Sequence, residues 1–170
     1  MSDKLELFAK KHIDGHAPGI TGKAVQAYRL AGVENDHECA NSEEVLDKLR
    51  AGFHIYIREG SGAKNLETLI RTLLDANVAL DQCAFCTDDK HIEEIRKEGH
   101  ISTCIRKAIA LGVPVAKAYK MGSYQPAMFY GLKGYGAIGA GYHADIVFLD
   151  NLEEVRPTDV MTVSYTHLRA

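Results

Sequence analysis

No apolar run in this sequence approaches the roughly 20 residues that a membrane-spanning helix needs. Positive charge is not in excess either: 20 Lys and Arg stand against 23 Asp and Glu, for a formal net charge of −3. No basic face is evident, so charge makes no case for nucleic acid. Cysteine is sparse, and the four present lack the spacing of a disulfide framework. That usage suits a reducing compartment, and a cytoplasmic location is the expectation. No secretory leader pattern is visible, because Met1-Ser2-Asp3-Lys4 runs directly into a mixed-charge helical pattern. What is present is ordinary for a globular domain: 170 residues, 46% hydrophobic and 25% charged, enough for one sizeable core.

The chain is organised by short strand-like runs that end in charged or ligand-type residues, each followed by a helical pattern. The first ends in His12-Ile13-Asp14-Gly15-His16-Ala17-Pro18-Gly19, and the second in Val33-Glu34-Asn35-Asp36-His37-Glu38. The third is Phe53 to Ile57, leading into Arg58-Glu59-Gly60-Ser61, and the fourth is Gln82 to Thr87, leading into Asp88-Asp89. His16, His37 and Arg58 fall at intervals of 21 residues, and Asp88 lies 30 beyond Arg58. Those are lengths of single βα units, so the spacing predicts consecutive parallel strands. Right-handed crossovers would bring all four ends to one edge, where parallel α/β proteins place their chemistry.

The helical patterns are expected over residues 2 to 11, from Thr21 to Leu30, behind an Asn41 or Ser42 cap with a Val45, Leu46 and Leu49 stripe, and over 63 to 75. After Asp89 the pattern changes to helices over 90 to 97, 101 to 111 and 114 to 121, with a short one near Ala127 to Tyr130. A glycine-rich stretch, the strand Ile146 to Leu149 and a turn at Asp150-Asn151 follow.

Two imidazoles and a carboxylate, His16, His37 and Asp88, could coordinate a divalent metal that acidifies a water. The competing reading is ordinary polar loop residues. Three ligand-type residues at strand ends of one sheet favour the metal. Asp89 is expected to assist Asp88, to cap the next helix, or both. Arg58, Glu59 and Ser61 are read either as substrate contacts or as an internal ion pair with a cap. Cys83 and Cys86, with His91 downstream, could form a zinc module. Strand alternation turns the two cysteines to opposite sides, so small buried residues that form neither a disulfide nor a shared metal site are expected. Gly134-Tyr135-Gly136-Ala137-Ile138-Gly139 has the letters of a dinucleotide fingerprint but precedes a strand instead of opening a helix, so a glycine turn is expected.

Asp14-Gly15-His16-Ala17-Pro18-Gly19, Asp36-His37-Glu38, Arg58-Glu59-Gly60-Ser61, Thr87-Asp88-Asp89, Gly99-His100-Ile101 and Gly141-Tyr142-His143-Ala144-Asp145-Ile146-Val147 occur in that order. Together, from about residue 3 to about residue 162, they resemble the bacterial adenine deaminases of the amidohydrolase superfamily. The resemblance implies an α/β fold, here the second half of a (β/α)8 barrel with four parallel βα units, plus the start of a small β domain. Residues 1–136 would be the partial barrel, 137–162 the flanking β piece, and 163–170 a non-family tail, expected to be dispensable. It implies hydrolysis of adenine to hypoxanthine and ammonia at a divalent centre of manganese or iron(II), binuclear in the whole protein, and a homo-oligomer. His16, His37 and Asp88 would be metal ligands, with Asp88 and Glu38 catalytic. Arg58, Glu59, Ser61 and Asp89 would lie on the substrate side. The family also uses a His-x-His pair and a bridging glutamate from earlier strands; no His-x-His occurs in this chain.

Overall fold

The computed structural model describes residues 12–162. The helix expected over residues 2 to 11 and the tail from 163 lie outside them. The chain order is α1 (Gly22–Leu30), β1 (Asn35–Asp36), α2 (Ser42–Arg50), β2 (His54–Arg58), α3 (Leu66–Asp75), a 3-10 turn (Leu80–Gln82) and β3 (Cys83–Cys86). Then come α4 (Ile92–Glu98), α5 (Ile101–Ala110), α6 (Val115–Gly122), α7 (Tyr124–Phe129), β4 (Ile146–Leu149) and β5 (Pro157–Met161).

β1, β2 and β3 form a parallel sheet in chain order, with Ile55 opposite Cys83 and Asn35 opposite His54. The expected first strand is reduced to one parallel bridge between Ile13 and Val33. Its next backbone donors leave the ladder for side chains: the Gly15 N–H goes to Asn35 Oδ1 and the Ala17 N–H to Asp36 Oδ1. β1 is short for a related reason, since the Asp36 carboxylate accepts the Glu38 N–H and turns the chain out of the sheet.

β2 alternates as a strand must. Ile55 and Ile57 pack with the α3 stripe of Leu66, Leu69, Ile70 and Leu73, all completely buried. From the other face His54 stacks on Phe129, with ring centroids 4.4 Å apart, and Tyr56 stacks on Tyr130 at 6.0 Å. Asn41 caps α2 by accepting the Glu44 N–H. Asp89 does not cap the helix after it: His91 stands at the N-cap of α4, and Asp89 binds elsewhere.

The glycine-rich stretch is a set of turns, with Gly131, Gly134, Gly136 and Gly141 at positive φ and no helix opening from it. β4 pairs antiparallel with β5. β5 was not evident from the sequence because Pro157–Met161 lacks apolar alternation, and it is exposed throughout. All four cysteines are free thiols, which burial pushes up to about 12, so none is poised as a thiolate ligand. No helix among the described residues is long and apolar enough to cross a membrane.

Burial, helped by His12, pulls the His54 imidazole down to about 4. An unfolded chain protonates this histidine near the ordinary 6.5, so between those values the unfolded state binds the extra proton. Stability is therefore lost as pH falls from about 6.5 to about 4, by on the order of 3 kcal/mol at full effect. Urea denaturation across that range should show this acid limb, and His54→Phe, which keeps a ring against Phe129, should flatten it. An unchanged limb in the variant would assign the loss to other groups.

Candidate metal centre

Three side chains meet at the carboxyl edge of the sheet. The ligand-type atoms of His16, His37 and Glu38 all lie within 4.8 Å of one another. Glu38 Oε1 is 3.5 Å from His16 Nδ1 and 3.4 Å from His37 Nε2, and the two imidazole centroids are 5.5 Å apart, edge to face. His16 is exposed, His37 half-buried and Glu38 buried, so the cluster opens to solvent on the His16 side. Two neutral imidazoles and one carboxylate are a donor set that suits a divalent transition metal.

Arg58, at the end of β2, ties this cluster to the end of β3. Its Nη1 and Nη2 bond both oxygens of Glu38, the Nη2 contact at 3.0 Å, and Nη1 also donates to Asp88 Oδ2 at 2.8 Å. Burial alone would lower the guanidinium, but the contacts with Asp88 and Glu38 outweigh it and hold it above its ordinary value. Arg58 therefore remains a cation between two carboxylates. Asp88 has a φ of 44°, the left-handed region that Asp tolerates better than most side chains. Its carboxylate thus joins the histidine cluster through Arg58.

The other candidates face elsewhere. Glu59 is buried and takes an ion pair from Lys107 Nζ at 2.5 Å, and that bond, against partial burial, holds the lysine above its ordinary value. Ser61 accepts the His91 N–H and donates to Glu94, which braces the start of α4. Asp89 accepts the Gly62 N–H at 2.7 Å. A Cβ at Gly60 would sit 1.7 Å from Asp89 Oδ1, so any larger residue there would push the Asp89 carboxylate from this position. Around Cys83, Cys86 and His91 no comparable group of ligand atoms forms among the described residues.

Sequence reasoning passed over the residues that hold the histidine loops. Asp36 and Lys48 form a completely buried ion pair with Nζ 2.7 Å from Oδ2. Gly15 lies so close to Asn35 that an added Cβ would stand 2.2 Å from its carbonyl oxygen. Lys48 carried a signal, since position 48 falls inside the apolar stripe of Val45 and Leu49, where a charge needs a partner.

The chain is an α/β protein with a candidate metal cluster at the edge of its parallel sheet, and it belongs to the amidohydrolase family, whose model matches residues 1–167. It is 48% identical over 155 residues to an adenine deaminase of Desulfitobacterium hafniense (strain Y51), covering 91% of this chain and 27% of that protein. It is 47% identical over 161 residues to an adenine deaminase of Gluconobacter oxydans (strain 621H), covering 94% and 28%. With an adenine deaminase of Kosmotoga olearia the identity is 46% over 155 residues, covering 90% and 26%. The chain thus spans about a quarter of the length of these relatives.

Proposed function

We propose that this chain is part of an adenine deaminase that hydrolyses adenine to hypoxanthine and ammonia. The observation that carries the reading is the convergence of His16, His37 and Glu38, linked by Arg58 to Asp88, in a chain so similar to proteins of that name. The sheet is read as strands five to eight of a (β/α)8 barrel, within residues 1–136. Residues 137–162 are read as the start of a flanking β domain. The whole protein is read as a cytoplasmic homo-oligomer.

His16 and His37 would hold a divalent ion, manganese or iron(II), with Glu38 or Asp88 completing the set. When bound, such an ion supplies Lewis-acid charge and lowers the pKa of a water. Deamination then requires delivery of an oxygen to C6 of adenine and a proton to the departing amino group. We assign the proton transfer to Asp88, whose carboxylate Arg58 orients. Glu38, bonded on both oxygens by the same guanidinium, holds the imidazoles in place and sets negative charge beside the ion.

Titration of the chain with manganese(II), followed by electron paramagnetic resonance, should show a bound ion that is lost in both His16→Ala and His37→Ala. Binding that survives both substitutions would move the metal elsewhere and remove the basis of the reading. Profiling of the longer protein against adenine and other purines tests the substrate.

A further inference from the structure

We propose that the buried Asp36–Lys48 pair is a positioning device for the metal site, clamping the loop of His16 against the loop of His37 and Glu38. The inference rests on the metal reading above and goes beyond it, because neither residue belongs to the candidate ligand group.

Both charges are completely buried. A buried ion pair contributes little net stability, and apolar residues of similar volume often serve as well or better. The bonds of this pair go to the backbone beside the histidines. Asp36 Oδ1 accepts the Ala17 N–H at 2.9 Å, and Lys48 Nζ donates to the Ala17 carbonyl at 2.7 Å. The residue that follows His16 is thereby held at both its N–H and its C=O. Asp36 Oδ2 accepts the Glu38 N–H at 3.2 Å and lies 3.6 Å from Cys39 Sγ, which holds the chain just after His37. Glu44, on the same helix as Lys48 and 3.9 Å from its ammonium, takes the Gly19 N–H at 3.1 Å and grips the His16 loop at a further point. One carboxylate thus fixes two loops that the ladder leaves free, one held by a single bridge and the other leaving a two-residue strand. Groups that orient metal ligands in this way typically matter about 10–100-fold in metal affinity.

The test compares the wild-type chain, the double variant D36L/K48M, the nearly isosteric Asp36→Asn and the control His37→Ala, each by cobalt(II) titration and native-state amide exchange. The double variant removes both charges together, so its urea midpoint should stay near that of the wild type. Its Ala17 and Glu38 amides should lose at least about tenfold in protection while the Ile57 and Leu69 amides keep theirs, and cobalt affinity should fall about 10–100-fold. Asp36→Asn should move the same readouts in the same direction by less, and it serves if the double variant does not fold. Unchanged Ala17 and Glu38 amides, unchanged cobalt affinity, or a uniform loss of protection over the whole chain would overturn the proposal. A wild type that binds no cobalt, or a His37→Ala that binds it normally, would overturn the metal reading and this inference with it. That failure is recognisable because it appears without any change at Asp36 or Lys48.

Discussion

With manganese or iron(II) added, the 170-residue chain on its own is expected to convert adenine several orders of magnitude more slowly than a full-length relative. The resemblance implies a centre built also from a His-x-His pair and a bridging glutamate, and this sequence contains no His-x-His. His16, His37 and Glu38 can gather around one ion, with Asp88 held beside them by Arg58, but these are fewer ligands than such a centre uses. A fully built metal centre brings the pKa of its bound water down towards neutrality, and every unit of that shift given up with a missing ligand costs about tenfold in hydroxide at neutral pH. Among the described residues β3 is also the edge of its sheet, and an open edge favours association over a defined site. The decrease in ultraviolet absorbance as adenine is consumed measures the rate directly. A rate close to that of a full-length relative would mean that the remaining ligands come from this sequence or from a second copy of it.

Lys48→Met should destabilise the metal-free chain by about 3–5 kcal/mol. The substitution roughly preserves volume, so the cost is electrostatic. Asp36 stays in place with no exposure, its Oδ2 stripped of the ammonium 2.7 Å away, and the Ala17 carbonyl loses its donor. The backbone N–H groups of Ala17 and Glu38 remain on the carboxylate but carry no full positive charge. Urea denaturation in the presence of a chelator checks the value. A loss below about 1 kcal/mol would place the pair among interactions that contribute nothing measurable. The double variant of the preceding section should be much closer to wild type, because it removes the stranded charge as well.

Most of the element order was legible in the sequence. The Leu66, Leu69, Ile70 and Leu73 stripe, the Asn41 cap, the apolar run into Arg58 and the helices after Asp89 are local patterns, and local periodicity is what a sequence displays directly. The shortness of the first two strands was not legible. Their backbone donors are captured by Asn35 and Asp36, and an Asn or Asp in a sequence does not reveal that it will compete with a ladder. Asp89 reads as a helix cap by position, yet its side chain is taken by the Gly60 to Gly62 turn from an earlier unit.

The sequence by itself pointed to the residues at the ends of β1, β2 and β3 and to the parallel run of those three strands, because the length of a βα unit implies both. Only the tertiary structure decided what those residues do to one another: that Glu38 stands between the two imidazoles, that Arg58 spans to Asp88, and that Lys48 crosses from α2 to hold Ala17. Apart from the adjacent His37 and Glu38, each of these is a contact of a few ångströms across 20 to 31 positions, between side chains or, for Lys48, with the Ala17 backbone carbonyl. Such contacts depend on how neighbouring strand ends and helices are set against each other, which no local pattern encodes.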